Sequence, residues 1–264
     1  MVSRQSSEME GSVAIITGGA GHIGRAIANK MARRGVNLII IDKNAGSAEE
    51  FAERLAAEFS IKALSIAVDI SGEEIFARIA AETKDTFNRL DFLINNAAFY
   101  DDMPGWGVDF MEEGYDAWLS VMRVNLLAPF FLAQHLGPLL KKSSFGAIVN
   151  ISSIYGVVGP DHGIYEGTQM TNPAAYAASK GGLIQLSRWL STYLAPEVRV
   201  NTVTPGGVER GQSEPFKTRY ENKTPLKRMA TEEDVANAVE FLVDPKSSYI
   251  TGHNLIVDGG WTAW

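Results

Sequence analysis

The sequence Val13-Ala14-Ile15-Ile16-Thr17-Gly18-Gly19-Ala20-Gly21-His22-Ile23-Gly24 follows a short polar N-terminal segment. Its first five residues form a continuous run of the kind found in a strand that is covered on both faces. Ile23, Ile27 and Met31 then recur at helical spacing, and Gly35 marks a helix end. The stretch therefore predicts a strand, a glycine turn and a helix. Such a turn lets backbone N–H groups approach a pyrophosphate, although glycines are also common in an ordinary tight turn.

The same alternation of short apolar runs and amphipathic segments continues to the C-terminus. We predict further strands at residues 36–41, 63–68, 90–94, 146–153, 198–204 and 254–257. Capping-box patterns at Ser47, Ser71 and Thr231 predict helix starts, and residues 115–140 have a helical pattern. Alternating strands and helices favour an α/β fold, here a single-domain, Rossmann-type doubly wound sheet of about seven parallel strands flanked by helices over residues 1–264.

The composition narrows the class of protein. With 264 residues and 45% hydrophobic content, the chain can bury one large core. Its net charge of -7 and pI of about 5.2 argue against a nucleic-acid partner. The lack of cysteine excludes disulfides, thiolate catalysis and Cys-ligated zinc, and the four histidines show no metal-ligand spacing, so no metal site is predicted. We find neither an apolar run of ~18 residues nor a signal-like N-terminus, which predicts a cytoplasmic protein without membrane attachment.

An acidic residue follows the second predicted strand. Asp42 lies about 20 positions beyond the glycine turn, where a carboxylate can accept hydrogen bonds from the ribose hydroxyls of an adenosine. The same charge would repel a 2′-phosphate, so Asp42 favours NAD over NADP. Lys43 is adjacent and keeps NADP open, and an Asp at a strand end is also a common turn residue.

A tyrosine and a lysine are spaced for chemistry on one helix. Asn172 is predicted to cap this helix and Pro173 to occupy its first position, which places Tyr176 and Lys180 on one face in the first turns. A phenol with a pKa near ~10 needs ~4 kcal/mol of phenolate stabilisation to act as a base at neutral pH. An ammonium ~4 Å away at an effective dielectric of ~20 supplies about that much. A buried tyrosine beside a lysine that extends to solvent is the structural alternative.

Three segments are candidates for substrate loops, at about 99–113, 154–172 and 206–230. Residues 209–229 are polar and basic without clear periodicity, and we interpret them as a lid. Asn125 lies inside the helical pattern of residues 115–140, where asparagine is unfavourable unless its side chain has a partner. We therefore expect Asn125 to make a specific contact.

Taken in order, these features resemble the short-chain dehydrogenase/reductase family over nearly the whole chain. The matching residues are Thr17-Gly18-x-x-x-x-x-Gly24, Asp69, Asn95-Asn96-Ala97, Asn125, Ser152-Ser153, Tyr176-x-x-x-Lys180, Pro205-Gly206 and Asp258-Gly259-Gly260. The chain departs from the family pattern at His22 and Ala98, which replace usual glycines, and at Arg210, which replaces a usual threonine near the cofactor. Gly21 occupies a position where NADP-dependent relatives often carry Arg or Lys, which again favours NAD.

The resemblance implies roles for particular residues. Tyr176 would be the general base, Lys180 its electrostatic partner and ribose anchor, and Ser153 the hydroxyl that orients the substrate, with Ser152 as an uninvolved neighbour. Asn125 would hold a water that relays protons from Lys180. The positions expected to bind the cofactor are Gly18, His22, Ile23, Gly24, Asp42, Asp69, Ile70, Asn96, Ala97, Tyr176, Lys180, Pro205 and Val208. The implied reaction is hydride transfer between a nicotinamide and a secondary alcohol or ketone.

Two stretches resemble a narrower group. The segment between Ser153 and Tyr176 is longer than usual for the family. Within it, Ile164-Tyr165-Glu166-Gly167-Thr168-x-Met170-Thr171-x-Pro173, together with the ending Asp258-Gly259-Gly260-Trp261-Thr262-Ala263-Trp264, is similar to bacterial sugar dehydrogenases associated with flagellin glycosylation and nonulosonate-type sugar synthesis. This likeness predicts a sugar, sugar-phosphate or nucleotide-sugar-like substrate.

Several side chains are candidates for contacts with such a substrate. Acceptors for its hydroxyls would be Asp101, Asp102, His162 and Glu166, and a phosphate or nucleotide would be held by Lys217, Arg219 and Lys223. Solvated loops with ordinary surface charges are the alternative for all of these residues. We expect Trp261 and Trp264 to close a contact between subunits, because aromatic residues are enriched at interfaces.

The resemblance also implies a homotetramer or homodimer, formed through the helices that carry Asn125 and Tyr176. Two other functions are open at this point. One is a 3-oxoacyl-thioester (acyl carrier protein) reductase that uses NADPH. The other, which the filled catalytic positions disfavour, is a nucleotide-binding protein without turnover.

Overall fold

Seven parallel strands form one sheet in the computed structural model, which describes residues 8–99 and 107–264. In chain order they are β1 (Val13–Thr17), β2 (Asn37–Asp42), β3 (Ala63–Ala67), β4 (Phe92–Asn95), β5 (Gly146–Ile151), β6 (Val198–Pro205) and β7 (Asn254–Val257). Their order across the sheet is β3-β2-β1-β4-β5-β6-β7, and every neighbouring pair is parallel. The chain starts in the middle and reverses direction between β1 and β4, which confirms the predicted doubly wound sheet.

Helices cover both faces of this sheet. They are α1 (His22–Arg33), α2 (Ala45–Phe59), α3 (Ile75–Phe87), α4 (Tyr115–Met122), α5 (Ala128–Leu140), α6 (Ala174–Tyr193), α7 (Glu214–Lys223) and α8 (Glu232–Val243). Successive residues of β1 enter two separate cores, because side chains alternate along a strand. Ile16 packs with α1, α2 and α8, whereas Ile15 packs with α3, α5 and α6. Coverage of both faces explains why the central strands have continuous apolar sequences.

Helices α4 and α5 form one apolar run, Tyr115–Leu140, joined by a π-helical turn at Arg123–Leu127. Within the described part of the chain, this helix is long and apolar enough to cross a membrane, so the expectation that no such run exists is wrong. However, the run packs against α3 and α6 and buries Leu132 and Leu136 fully in the core. We therefore assign it as a core helix of the fold.

The helix starts correct several sequence predictions. The cap of α2 is Asn44, whose side chain accepts a hydrogen bond from the backbone N–H of Ser47 (3.1 Å), so Ser47 does not open a capping box. Helix α3 begins without a side-chain cap, so the capping box predicted at Ser71 is also wrong. The third capping box is confirmed, since Thr231 and Asp234 bond reciprocally at the start of α8. The pattern of small polar and acidic residues is thus insufficient by itself to locate a helix start.

The start of α6 also differs from the prediction. Pro173 precedes the first helical residue, Ala174, and Asn172 lies one position further out and makes no capping bond. Tyr176 is consequently the third residue of the helix. The predicted cap is therefore wrong, and among the described residues the carboxamide oxygen of Asn172 has no hydrogen-bond partner.

The predicted lid contains a helix that the sequence pattern did not reveal. Residues 209–229 include α7, whose polar sequence carries only two buried side chains, Phe216 and Tyr220. These two residues are four positions apart and therefore share one helix face. The lid is partly helical because these two rings pack against Tyr165 and Trp261.

Candidate active site

The carboxyl ends of the strands open onto one cavity of about 510 Å³. It lies at the place where the strand order reverses, which is where ligands of this fold class bind. The predicted residues that line it are Gly18, His22, Ile23, Asp42, Asp69, Ile70, Asn96, Ala97, Ser153, Tyr176, Lys180, Pro205 and Val208. Gly24, predicted to contact the cofactor, and Asn125, predicted to hold a water beside Lys180, do not line the cavity.

The glycine turn allows two backbone segments to approach closely. Gly18 has a φ of +59°, and a Cβ at this position would lie 2.9 Å from the Cα of Ala97. A Cβ on Gly24 would lie 2.2 Å from the carbonyl oxygen of Gly18. The Asn96 amide nitrogen donates to the carbonyl oxygens of Thr17 (3.0 Å) and Gly18 (3.1 Å) and fixes the turn against β4. Gly24 is thus a packing requirement of the turn, whereas Gly18 faces the cavity.

The Asp42 carboxylate is fixed at the rim of the same cavity. It accepts hydrogen bonds from the backbone N–H groups of Ala20 (3.1 Å) and Asn44 (3.2 Å). Lys43 also lines the cavity, with its ammonium 5.7 Å from the ring centroid of Phe99. A glycine turn without side chains, beside an oriented acceptor, fits the pyrophosphate and ribose of a dinucleotide.

Ser153, Tyr176 and Lys180 all line the cavity. All three are buried, and the Lys180 ammonium lies 5.6 Å from the ring centroid of Tyr176 and donates to the carbonyl oxygen of Ile151 (2.8 Å). The Ser153 hydroxyl accepts a hydrogen bond from the backbone N–H of Tyr155 (3.2 Å). Ser152 instead donates to the carbonyl oxygen of Lys180 (2.9 Å), which ties β5 to α6.

Burial lowers the pKa of Lys180 to about 7. Removal of an ammonium from water disfavours its charged form, and here desolvation is the cause of the shift. Near neutral pH the side chain can therefore exist as either the ammonium or the free amine. A group in this range can support a phenolate by its charge and can also exchange a proton with it.

Asn125 has the specific contacts that its sequence position predicted. It lies in the π-helical turn, its carboxamide oxygen accepts from the backbone N–H of Phe99 (2.9 Å), and its amide donates to Ser179 (3.1 Å). Both ends of the side chain are used within the protein, so its carboxamide does not reach the cavity. π-Helical turns often occur at functional sites, and this one joins the 99–113 segment to α6 beside Lys180.

The segment 154–172 builds the other end of the cavity. It contains helical turns at Ile154–Gly156 and His162–Tyr165, and it supplies Tyr155, Tyr165 and Asn172 to the lining. The hydroxyls of Tyr155 and Tyr165 are 2.6 Å apart. The sequence did not single out these residues as lining, because the fold of the segment determines which of its side chains point inward.

Two of the proposed substrate acceptors are elsewhere. His162 and Glu166 are exposed and do not line the cavity, so their prediction is wrong. Asp101 and Asp102 lie outside the described residues. Besides Tyr155, Tyr165 and Asn172, the lining at this end comes from Phe216 and Tyr220 of α7, from Gln212 before that helix and from Met229 after it.

The three cations expected to bind phosphate are paired within the chain. Lys217 bonds Glu209, Lys223 bonds Asp161, and Arg219 donates to the carbonyl oxygens of Ile164 and Glu166. The hydrogen bond from Lys223 lowers the pKa of Asp161. The phosphate role stays a prediction, and a phosphate would have to displace these partners. The pairs of Lys223 and Arg219 attach segment 154–172 to α7, whereas Glu209, the partner of Lys217, lies in the loop before α7.

The structure contradicts the predicted subunit contact for Trp261, whereas the prediction for Trp264 stays a prediction. Trp261 is buried within its own chain, stacked on Tyr220 at 5.9 Å and edge-on to Tyr155 at 6.3 Å. It therefore supports the wall of the cavity and does not close a subunit contact. Trp264 is 80% exposed and donates to the carbonyl oxygen of Lys223 (3.1 Å).

The loop after β6 is held in place by α7. The backbone N–H of Gly207 donates to the Tyr220 hydroxyl (2.6 Å). Arg210, which departs from the family pattern, lines the cavity and lies 3.5 Å from Glu232. The site has two parts around Tyr176 and Lys180. We call the part lined by the glycine turn and Asp42 the dinucleotide cradle. We call the part lined by Tyr155, Tyr165, Asn172, Phe216, Tyr220 and Met229 the chamber.

Comparisons with known proteins agree with this geometry. A family model described as enoyl-(acyl carrier protein) reductase matches residues 18–262. A 3-oxoacyl-[acyl-carrier-protein] reductase from Aquifex aeolicus is 33% identical, over 96% of this chain and 98% of its own length. Post-translational flagellin modification protein A from Campylobacter coli is 29% identical, over 96% and 99%. Among solved structures, a short-chain dehydrogenase/reductase of the glucose/ribitol dehydrogenase type from Brucella melitensis has a TM-score of 0.83 at 30% identity, over 97% and 98%.

These matches cover nearly the whole chain, including the glycine turn, the central sheet and the helix that carries Tyr176. The chain belongs to the short-chain dehydrogenase/reductase family, whose members are NAD(P)-binding oxidoreductases that act on CH–OH groups.

Proposed function

We propose that the chain is an NAD-dependent dehydrogenase that transfers a hydride between the nicotinamide and a secondary alcohol of a polyhydroxylated, sugar-like substrate. Asp42 is the observation on which the choice of cofactor rests. Its carboxylate is oriented by two backbone N–H groups at the rim of the cavity and retains lone pairs for the ribose hydroxyls. A 2′-phosphate at the same place would meet a like charge. Gly21 also lines the cavity there and offers no cation.

The substrate class is supported by the polar groups of the chamber. Tyr155, Tyr165 and Asn172 bring polar side chains to the chamber, as a substrate with several hydroxyls requires. The Gln212 carboxamide is used within the chain, because it accepts from the backbone N–H of Arg210 (2.7 Å) and donates to the carbonyl oxygen of Val208 (2.8 Å). The relatives named for flagellin modification and for glucose or ribitol are consistent with such a substrate. A phosphate group on the substrate would have to displace the partners of the three predicted cations, because all three are paired within the chain.

The proposed substrate loops follow from the same lining. Segments 154–172 and 206–230 both contribute side chains to the chamber, which supports their assignment as substrate loops. Of segment 99–113, Phe99 lines the cavity, and residues 100–106 lie outside the described part of the chain.

The proposed mechanism assigns one task to each buried polar group. In the oxidative direction the Tyr176 phenolate, which the charge of Lys180 stabilises, removes the proton of the alcohol and becomes the neutral phenol. Ser153 donates a hydrogen bond to the substrate oxygen and orients its C–H bond. Acceptance of the hydride is the chemistry that NAD supplies when it is bound. The cradle from Gly18 to Val208 would hold it, and Asn125 would keep the π-helical turn in place beside Lys180.

A second candidate is reduction of a 3-oxoacyl thioester with NADPH. The 33% identical reductase from Aquifex aeolicus favours it, and so do the apolar parts of the chamber, which include Phe216 and Met229. The first candidate uses NAD and a polyhydroxylated alcohol, whereas the second uses NADPH and a 3-oxoacyl thioester. Rates of NAD reduction with a panel of sugars and polyols, compared with NADPH oxidation by a 3-oxoacyl thioester, therefore separate them.

Tyr176→Phe tests the chemistry. Loss of the general base should lower kcat by about 10²- to 10⁴-fold while NADH binding is retained. Tyr249→Phe removes a fully exposed phenol outside the cavity and should leave the rate unchanged. A Tyr176→Phe enzyme that keeps most of its activity would contradict the proposed base. Faster turnover of the thioester with NADPH would favour the second candidate.

We also propose that the chain self-associates, as a homotetramer or homodimer. The helices named for this in the sequence expose apolar side chains, including Trp189 and Tyr193 on α6 and Leu119 on α4. Exposed apolar patches of this kind are typical of interaction surfaces.

A further inference from the structure

Tyr220 is a buried tyrosine whose hydroxyl is bonded to the backbone of the loop after β6. It lies on α7, it is 2% exposed, and its hydroxyl accepts a hydrogen bond from the backbone N–H of Gly207 (2.6 Å). A Cβ at Gly206 would lie 2.7 Å from this hydroxyl, and a Cβ at Gly207 would lie 3.0 Å from Cζ of the ring. The phenol therefore packs directly on the backbone of the loop, where a side chain would not fit.

The neighbouring polar groups of this loop are bonded to other parts of the backbone. The carbonyl oxygen of Gly207 accepts a hydrogen bond from the backbone N–H of Ala230 (2.9 Å), and the backbone N–H of Gly206 donates to the carbonyl oxygen of Val257 (2.9 Å). Within the described part of the chain, the N–H of Gly207 has the Tyr220 hydroxyl as its partner. The conformation of this peptide unit thus depends on one side chain.

The order of the strands places this loop at the reacting end of the site. Asp42 ends β2, whereas the loop follows β6, four strand spacings away across the sheet, or about 19 Å at ~4.8 Å each. Next to β6 is β5, which ends two residues before Ser153. Gly206 and Gly207 line the same cavity as Ser153. A dinucleotide whose adenosine ribose is held by Asp42 would therefore reach this loop with its opposite half, which exchanges the hydride.

We propose that Tyr220 is a positioning residue for the nicotinamide half of the cofactor, because its hydroxyl holds the Gly207 peptide in the conformation that this half binds. The inference rests on the dinucleotide binding that is common to the family, and its use of NAD rests on the function proposed above. Without the hydroxyl, the N–H of Gly207 would lose its partner, and the loop would have to become ordered when the cofactor binds. The affinity for the cofactor would fall by the cost of that ordering.

Tyr220→Phe removes the hydroxyl and retains the ring that stacks on Trp261. We expect the Kd for NADH, measured by fluorescence titration, to rise by about 5- to 20-fold. The Kd for AMP, measured by calorimetry, should change by less than about 2-fold, because AMP corresponds to the half of the cofactor at Asp42. A general loss of structure would weaken the binding of both ligands together. An equal loss for NADH and AMP, or no loss for either, would overturn the proposal.

Two control variants remove other hydroxyl groups. Tyr249→Phe removes a fully exposed phenol hydroxyl outside the cavity. Thr218→Val removes an exposed hydroxyl from α7 itself. Both variants should bind NADH and AMP as the wild type does. If Thr218→Val weakened NADH binding as much as Tyr220→Phe, the effect would belong to α7 in general, which contradicts the role of the Tyr220 hydroxyl.

Hydrogen exchange tests the bond itself in the wild type. Without cofactor, the amide of Gly207 should exchange at least about 10-fold more slowly than a glycine amide in an unstructured peptide, because it donates to a buried hydroxyl. An unprotected Gly207 amide would overturn the proposal even if Tyr220→Phe does not fold. If the wild type binds NADPH more tightly than NADH, the proposed choice of NAD fails, and titration with NADPH and adenosine 2′,5′-bisphosphate then tests Tyr220 in the same way.

Discussion

The buried amine of Lys180 should make the stability of the protein depend on pH. Its pKa is lowered by burial from 10.5 to about 7. Between these two values the unfolded chain binds a proton that the folded chain has released. The free energy of unfolding should therefore rise as pH increases through this range, by at most ~1.4 kcal/mol per pH unit from this one group.

Lys180→Met isolates that contribution, because methionine has a similar shape and does not titrate. Urea unfolding of both proteins without cofactor, at pH values from about 7 to about 9, gives the difference in stability. We expect the wild type to gain stability relative to the variant as pH rises. A difference that stays constant over this range would show that the pKa of the buried lysine is not lowered.

Asp42 should control the choice between the two nicotinamide cofactors. Asp42→Ala removes charge-assisted hydrogen bonds worth ~1.5–3 kcal/mol, so kcat/KM for NAD should fall by about 10- to 100-fold. Adding Gly21→Arg supplies a cation for the 2′-phosphate and should raise kcat/KM for NADP. Asp116→Ala, an exposed site on α4, serves as the control for removal of a carboxylate. If Asp42→Ala uses NAD as well as the wild type does, the assignment of NAD loses its support.

The sequence was sufficient to place those site residues whose positions depend only on their own helix or strand. Tyr176 and Lys180 are four positions apart on a helix, and Asp42 ends a strand, so their placement follows from the chain itself. The chamber residues Tyr165 and Asn172 could not be predicted in this way. Their direction is fixed by contacts with Phe216 and by the bond between Gly107 and Thr171, partners that are far away in the sequence.

At the scale of elements, the glycine turn between β1 and α1 depends on the absence of a side chain at Gly24. A Cβ there would lie 2.2 Å from a backbone oxygen, so Gly24→Ala should force the turn open. We expect a loss of ~1–3 kcal/mol in the free energy of unfolding, together with weaker NADH binding.

Gly46→Ala is the matched control, since Gly46 lies in α2 and a Cβ added there would have no atom within 4 Å. Alanine is favoured over glycine in a helix, so this variant should be neutral or more stable by up to ~1 kcal/mol. Urea unfolding and NADH titration of both variants measure the contrast. Equal stability of the two variants would contradict the packing role of Gly24.

Helix α7 and segment 154–172 should act together as one wall of the chamber. Arg219 joins them through the carbonyl oxygens of Ile164 and Glu166. Arg219→Met removes these bonds, so KM for the substrate should rise by about 3- to 10-fold while NADH binding is unchanged. Arg78→Met breaks an exposed pair with Glu82 on α3 and should have no effect on KM. An unchanged KM in Arg219→Met would show that the attachment does not shape the site.

The failure to predict α7 has a physical cause at the same scale. Only Phe216 and Tyr220 mark its buried face, and the rest of the helix is polar. By contrast, α1 buries Ile27, Ala28 and Met31 and was predicted from its spacing. A short surface helix held by two rings and several ion pairs depends on its tertiary partners more than on its own periodicity.

The whole molecule shows apolar surface where the family resemblance implies a subunit contact. On α6, Trp189 and Tyr193 stack at 5.0 Å and are 51% and 66% exposed. Leu119 and Leu127 are exposed on the run formed by α4 and α5. Because these helices also carry Tyr176 and Asn125, burial of this face would hold the catalytic wall rigid.

We therefore expect the protein to have a mass in solution that is two or four times the 28.7 kDa of the chain, as measured by light scattering after size-exclusion chromatography. Trp189→Glu places a charge in the apolar face and should shift the mass towards 28.7 kDa, because an unpaired charge is costly in a buried interface. Arg54→Glu changes the charge of an exposed site on α2, on the other side of the sheet, and should leave the mass unchanged. A wild-type mass of one chain would overturn the assembly proposal. If Trp189→Glu is monomeric and also loses kcat with unaltered NADH binding, the contact between subunits supports the position of Tyr176.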